Sequence, residues 1–485
     1  MSDERTTRNG QSRSNHSAFR VTAEVVISPP ERSLLATGDA RELREFPKPA
    51  AAERTGRVSG LLETNGFNIH HVGPFSITIE GTPQQFIQAF GCRFADAPHS
   101  RARLAFANAD PSLHVPIDKR WQEIEGVVLM PIESYSASSD SGPSDSDENH
   151  PHHLPKPQVD YYHLNAPRDL VTNLCANEAH AKNICGQDID VVVVDSGWWN
   201  HPWFQDRGLH VDVVLAPGAS AAELDEVGHG TMVCASLMSL APNAKVTMIK
   251  QSGEDAFTAF KMAIDRAPAI IQNTWGMPAS HGPLHAAQKL VALTVLYAIN
   301  NGIIVVFAGG NEKKLFPQQM HETIAVGGSF VHRDGSLEAA SYASGYESRL
   351  FPGRIVPDFC GLVGMKPEGV YLMMPTMPGS EIDVAFAEKP YAYGDGTDRP
   401  DDGWVVISGT SSGSAQVSGV ISMLKQVQPS LDQRAAKELI ARCTRPVLYG
   451  VSAEGNPAGL PLPNLATGYG LVDAEKALRE LGAAL

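Results

Sequence analysis

Three stretches of the chain set a reactive side chain at a point where regular structure should begin or end. Asp195 follows four valines in "DIDVVVVDSGWW", His229 lies between two glycines in "DEVGHGTMVCASLMSLA", and Ser411 follows Gly409-Thr410 in "WVVISGTSSGSAQVSGVISML". A carboxylate, an imidazole and a hydroxyl are together the groups of nucleophilic catalysis, in which a base takes the hydroxyl proton and a third group orients the base. Taken one at a time, each has a plainer use: an Asp in a turn, a histidine satisfied in a core, a serine capping a helix. What sets them apart is position, because each is delivered to the same edge of one predicted sheet.

That sheet is read from hydrophobic patterning. Four valines in a row suit a central strand covered on both faces, ended by Ser196-Gly197. The almost wholly apolar stretch after His229 reads as a buried helix. "AKVTMIKQ", "AIIQNTW" and "IIVVFAGG" read as further strands, separated by the helices "DAFTAFKMAIDRA" and "LVALTVLYAIN". This alternation predicts an α/β fold with a mostly parallel, doubly wound sheet. In such sheets ligands collect beyond the strand ends. Ser411 heads a helix of Ser, Gly and Ala that must pack closely, and a hydroxyl and a backbone N–H presented there are what a nucleophile with an adjacent oxyanion site requires. Residues from about 352 to 404, rich in Pro, Gly and Asp, read as loops.

A smaller domain precedes this one. "SASSDSGPSDSDENHPHHLPKPQ", residues 136–158, has only Ala137 and Leu154 as apolar side chains and reads as a disordered linker, as residues 1–18 read as a disordered tail. His150, His152 and His153 within the linker read as solvated side chains. Residues 19–135 give a strand in "FRVTAEVVIS", a helix in "ERTGRVSGLLETNG" and two strands in "NIHHVGPFSITIEG". A helix follows in "TPQQFIQAFG", with Thr82 and Pro83 in cap and first-turn positions, and then a strand in "EIEGVVLMPIES". The order βαββαβ predicts a small α+β, ferredoxin-like domain. Residues 159–485 form the larger domain.

Composition narrows the function. A chain of 485 residues that is 42% hydrophobic supports two domains, and a net charge of −15 argues against nucleic acid as the partner. "MSDERTTRNGQSRSNHSAFR" has no apolar segment of the secretory kind, and the most hydrophobic stretch is interrupted by Asn300-Asn301-Gly302, so no membrane span is expected. Six cysteines, at 92, 175, 185, 234, 360 and 443, form no disulfide framework and fit a reducing, cytoplasmic setting. The acidic turn "GDGTDRPDDG", residues 394–403, offers oxygen ligands of the kind calcium takes but follows no recognised loop pattern, so no metal or cofactor is assigned.

Five ordered motifs carry a resemblance: "DSG" with "HPWF" beyond it, "GHGT", "AGGN", "SGTSSGSA" and "GYGLVDAEKAL". Together they resemble the subtilisin-like serine peptidases from Asp195 to Leu478. The resemblance implies that Asp195 orients His229, that His229 is general base and then general acid, and that Ser411 attacks a peptide carbonyl to give an acyl-enzyme. It makes Asn311 the side chain that donates to the oxyanion. Asn273, Thr274, Trp275 and Gly276 become a segment that pairs with substrate backbone, with Gly309 and Gly310 walling the adjoining pocket and Trp275 either lining an outer subsite or belonging to the core. The related sedolisins use Glu and Asp acid-base chemistry with an Asp at the oxyanion position, and His229 and Asn311 favour the subtilisin type.

The sequence departs from the family where Ala415 and Gln416 replace Pro and His, and where Met232 replaces a frequent His. None of these removes a catalytic atom. The resemblance also implies that the first domain is a propeptide, released by self-cleavage between about Met130 and Pro157, and that it inhibits the cleft beforehand. The expected partners are therefore a peptide or protein substrate and the chain's own amino-terminal domain, with no nucleic acid and no membrane. Two rival expectations remain: a catalytically silent module that binds peptides, and a processing peptidase with one dedicated substrate.

Overall fold

The computed structural model describes residues 19–27, 33–35, 48–95, 104–131, 162–253, 255–279, 282–365, 370–387 and 401–485. The predicted tail, the linker with its three histidines, the expected cleavage segment beyond residue 131 and most of the acidic turn lie outside them.

The amino-terminal domain has the predicted order. Strands Val21–Val26, Asn68–Val72, Ser76–Gly81 and Gly126–Val128 alternate with helices Ala52–Thr64 and Pro83–Phe90. The sheet is antiparallel, with Val21–Val26 in the middle between Ser76–Gly81 and Gly126–Val128, and Leu113–His114 adds a short edge that the sequence pattern does not announce. Thr82 caps its helix as expected: its side chain accepts from the N–H of Gln85, the Gln85 side chain returns the bond, and Pro83 occupies the first turn. Strand periodicity then divides the sheet into two unlike faces. Val21, Ala23, Val25, Ile77 and Ile79 pack under the domain's own helices. Glu24, Val26, Ser76 and Thr78 turn the other way, toward the larger domain.

Among the described residues the larger domain is built on eight parallel strands, in spatial order Val211–Leu215, Lys245–Lys250, Asp190–Asp195, Ile270–Asn273, Ile304–Ala308, Ile324–Val331, Phe359–Leu362 and the short Leu471–Val472. The four valines meet two cores. Val191 and Val193 pack with helices His229–Leu240 and Thr410–Val427, whereas Val192 and Val194 pack with helices Ala256–Asp265 and Ala286–Asn300. A strand buried on both faces needs apolar side chains at every position, which is why the run is continuous. After Lys245–Lys250 the chain crosses Asp190–Asp195 to build the other half of the sheet, so the order reverses beside Asp195, at the point where open α/β sheets form a crevice. Among the described residues no helix is long and apolar enough to cross a membrane.

The stretch from about 352 to 404 is not the set of loops its composition predicts. It contains the sheet strand Phe359–Leu362, the strand Val370–Pro375 paired with Trp404–Ile407, and the helix Glu381–Ala387. Phe359–Leu362 is only four residues long and sits close behind Pro352 and Pro357, so its pattern is too brief to stand out. Its Gly361 explains the small-residue helix: a Cβ there would lie 2.5 Å from Gly413 Cα. Backbone thus meets backbone where that helix crosses the sheet.

Buried amides hold the same helix in register. Gln272 donates to Ser414 Oγ and accepts from Ser418 Oγ, both at 2.6 Å. Gln416 accepts from Leu362 N–H at 2.8 Å and donates to Leu362 C=O at 2.9 Å and Ser412 Oγ at 3.1 Å. The departure from the family at this position is therefore a structural clamp. Gln416→Leu leaves two buried backbone groups unpaired, so it should lower unfolding stability by about 2–5 kcal/mol. Chemical denaturation of parent and variant measures this, with an unchanged midpoint contradicting the clamp.

Candidate active site

Asp195 is the last residue of its strand and His229 the first of its helix. They meet at the strand end, where the His229 Nδ1 to Asp195 Oδ1 distance is 2.7 Å. The pair is sealed from solvent, with Asp195 at 0% and His229 at 2% exposure. Asp195 takes two more hydrogen bonds, from Ser196 N–H to Oδ1 and from Thr274 Oγ1 to Oδ2, each 2.7 Å. Burial alone would push its carboxyl up. The charge of His229 and these donated bonds outweigh burial and hold it below the usual carboxylate range.

The glycines around His229 answer two separate demands. Gly228 adopts the left-handed region, at φ 89°, to start the helix, and a Cβ on Gly230 would lie 2.1 Å from Gly197 C=O. The helix is therefore pressed against the turn after Asp195, and this close approach sets the distance between the paired side chains. Sequence reasoning missed another carboxylate here. Asp225 is fully buried four residues before His229 and accepts hydrogen bonds from both sides of the pair. It stands at the start of the quoted "DEVGHGT", but its partners are distant in sequence and nothing local marks it.

Ser411 lies in the first turn of Thr410–Val427, where Gly409 takes the cap position without a side-chain bond. The plainer reading of Ser411 as a helix cap is thereby set aside. Its helix packs on the His229 helix through a 2.8 Å contact between Ser412 Oγ and Ser236 Oγ. Asn311 arrives from the other side, past the strand Ile304–Ala308 and two glycines. A Cβ on Gly309 would lie 2.9 Å from Val326 C=O and one on Gly310 2.4 Å from Lys313 C=O, so this turn has room for no side chain. Asn311 Oδ1 accepts from Thr410 N–H at 3.1 Å and from Thr410 Oγ1 at 2.9 Å. With the carbonyl oxygen so engaged, the end of the side chain that can donate is fixed beside the residue preceding Ser411.

The segment 273–276 is less open than its sequence implies. Asn273 is buried, donating to Val306 C=O at 3.1 Å and accepting from Trp275 Nε1 at 3.0 Å. The indole of Trp275 is fully buried, with ring centroids 5.6 Å from Phe260 and 5.4 Å from Phe307. It belongs to the core beneath the sheet and lines no outer subsite, because the helix Ala256–Asp265 covers it. Thr274 spends its hydroxyl on Asp195. Gly276 lies against Leu315, where the ladder between Met277–Pro278 and Leu315–Phe316 begins. What this segment can offer a ligand is main chain. Among the described residues no cluster of three or more His, Cys, Asp or Glu could hold a metal.

Comparison with known proteins bears on the family and the fold. Residues 186–470 match the Subtilase family model. M-protease of Shouchella clausii (strain KSM-K16) is 22% identical over 328 residues, covering 64% of this chain and 69% of that protein. Subtilisin BL of Lederbergia lenta is 22% identical over 279 residues, covering 54% of this chain and 84% of its own length. In fold the chain is similar to fervidolysin from Fervidobacterium pennivorans, a keratinolytic enzyme related to subtilisin. The TM-score is 0.54 at 13% identity, over 98% of this chain and 62% of that one. With residues 186–470, more than half its length, matched by that model, the chain belongs to the subtilase family of subtilisin-like serine peptidases.

Proposed function

We propose that the protein is a serine endopeptidase that works through Asp195, His229 and Ser411, with Asn311 and the Ser411 N–H as oxyanion donors. The buried 2.7 Å contact between Asp195 and His229 carries this reading, because a carboxylate withdrawn from water beside an imidazole has its greatest effect when that ring becomes charged. His229 takes the Ser411 proton as Oγ bonds to the scissile carbonyl carbon. The same proton passes to the leaving amine as the C–N bond breaks. Water then attacks the acyl-enzyme, again through His229, and frees the carboxylic acid and Ser411. Asp195 holds the tautomer and stays ionised throughout. Asn311 donates to the oxygen only as negative charge develops, and backbone along 273–276 aligns the substrate.

Against the silent-module reading, Gln416 serves packing through its two bonds to Leu362, and no side chain of the proposed machinery is replaced. Asn311→Ala should lower kcat about 100- to 1,000-fold with KM within about threefold. Steady-state hydrolysis of a peptide substrate measures this, and an unchanged kcat would remove Asn311 from the reaction.

The amino-terminal domain is, in this proposal, a propeptide that assists folding, inhibits the cleft and is cut off in the segment past residue 131. Its inner face supports the reading. Glu24 and Lys261, both almost fully buried, pair at 2.7 Å between Val21–Val26 and the helix Ala256–Asp265. Lys261 Nζ also donates to Thr78 Oγ1 at 2.6 Å, and Ser76 and Thr78 donate to Glu24. Lys289 reaches Leu35 C=O at 2.6 Å, and Asp110 accepts from Ala286 N–H at 2.8 Å. Removing one member of a buried pair strands the other. Lys261→Met should therefore weaken retention of the cleaved domain by on the order of 100-fold, read as the fragment co-eluting with the processed enzyme.

Acidity should strengthen the same contact. Burial pushes the Asp255 carboxyl up to about 6, Glu24 adds to the shift, and Thr258 and Lys261 oppose it. The Glu24 charge arrives with the amino-terminal domain, so docking raises this carboxyl and takes up a proton, and its contribution is present at low pH and is lost as pH rises through about 6. Retention should fall up to about tenfold from pH 5 to pH 7. Asp255→Asn should flatten that dependence, and an undiminished slope in the variant would assign it elsewhere.

A further inference from the structure

The reaction as described leaves one buried charge at the site without a part. Asp225 Oδ1 accepts from Ser196 Oγ at 2.7 Å and Gly228 N–H at 3.0 Å. Its Oδ2 accepts from Thr231 N–H at 2.8 Å and Thr231 Oγ1 at 2.7 Å. Ser196 Oγ in turn accepts from Gly230 N–H at 2.9 Å. These donors are the residue after Asp195, the residue before His229 and the two after it. One carboxylate therefore ties the backbone on either side of the Asp195–His229 contact.

The loop that carries Asp225 is itself pinned. Lys250 Nζ donates to Ala221 and Leu224 C=O, each at 3.0 Å, and to Glu226 at 2.6 Å. From the far side, Glu381 and Ile382 N–H reach Glu226 and Val227 C=O at 2.9 and 3.1 Å, and Thr376 Oγ1 reaches Gly228 C=O at 3.0 Å. Packing alone would be served at less cost by an apolar side chain, since a buried carboxylate loses its hydration and needs every donor it has here.

We infer that Asp225 is a positioning residue for the peptidase reaction, holding the strand end at Asp195 and the helix start at His229 in the one register that keeps Nδ1 on Asp195. The inference rests on the triad reading above. The groups that face Asp225 are Ser196 and Asp195 on the strand side, Gly228 in the loop, and Thr231 and Cys234 on the helix. Small displacements of a base from its orienting group are costly in rate, so the effect belongs in kcat.

Asp225→Asn preserves shape but turns one acceptor into a donor facing donors. It should lower kcat and fluorophosphonate labelling of Ser411 together, by about 10- to 100-fold, with KM within twofold. Thr231→Val, which keeps the N–H but removes the hydroxyl that donates to Asp225 and accepts from Trp199 N–H, is the milder variant and should lose about three- to tenfold in kcat with KM within twofold. The discriminating measurement is a double-mutant cycle. In an Asp195→Asn background, where the orienting contact is already impaired, Asp225→Asn should cost less than about threefold more. An Asp225→Asn enzyme with parental kcat, or an equal loss in both backgrounds, overturns the inference and leaves a structural carboxylate. A parent that neither hydrolyses peptides nor labels overturns the triad reading and the inference with it, whereas an active parent indifferent to Asp225 overturns the inference alone.

Discussion

The structure depends on keeping one carboxylate out of water. Asp195 is an anion at the end of a strand buried on both faces, and such a charge persists only where donors converge on it. His229, Thr274 and the Ser196 N–H supply them from the start of the helix His229–Leu240, from just past the neighbouring strand and from the following turn. Each requirement then propagates. The helix can bring His229 close only because Gly230 has no side chain, and Thr274 is in place only because Ile270–Asn273 lies next to Asp190–Asp195 in parallel register. The small-residue helix that carries Ser411 must cross the sheet at backbone contact, which Gly361 and Gly413 allow and Gln272 and Gln416 lock.

Much of this is legible in the sequence. The valine strand declares burial on both faces, the alternation of strands and helices declares a parallel sheet, and the Thr82-Pro83 start of one helix is found as read. These signals are local, written in periodicity and in the residues next to a turn. What stayed hidden is non-local. Asp225 looks like any acidic loop residue until Ser196 and Thr231 are folded onto it. Trp275 resembles a subsite aromatic until Phe260 and Phe307 close around it. Phe359–Leu362 joins the sheet through neighbours rather than through its own four-residue pattern.

Glu24 shows the same limit across two domains. In "VTAEVV" it lies on one side of a strand, and nothing local in the sequence marks it as buried. Its partner, Lys261, comes from a helix 237 residues later, and between them the charges form a buried contact that neither sequence segment reveals. The same face also carries apolar Val26, Phe75 and Val128 into the core of the larger domain, so the contact joins a buried ion pair to apolar packing.

The central claim is that Ser411 is an activated nucleophile driven by the buried Asp195–His229 pair. The most direct measurement is the intact mass of the protein after exposure to a fluorophosphonate, with peptide mapping of any adduct, beside Ser411→Ala and His229→Ala. The account predicts a single stoichiometric adduct on Ser411 in the parent and none in either variant. No adduct on the processed parent, or an adduct that persists in the His229→Ala protein at the parental rate, would contradict it.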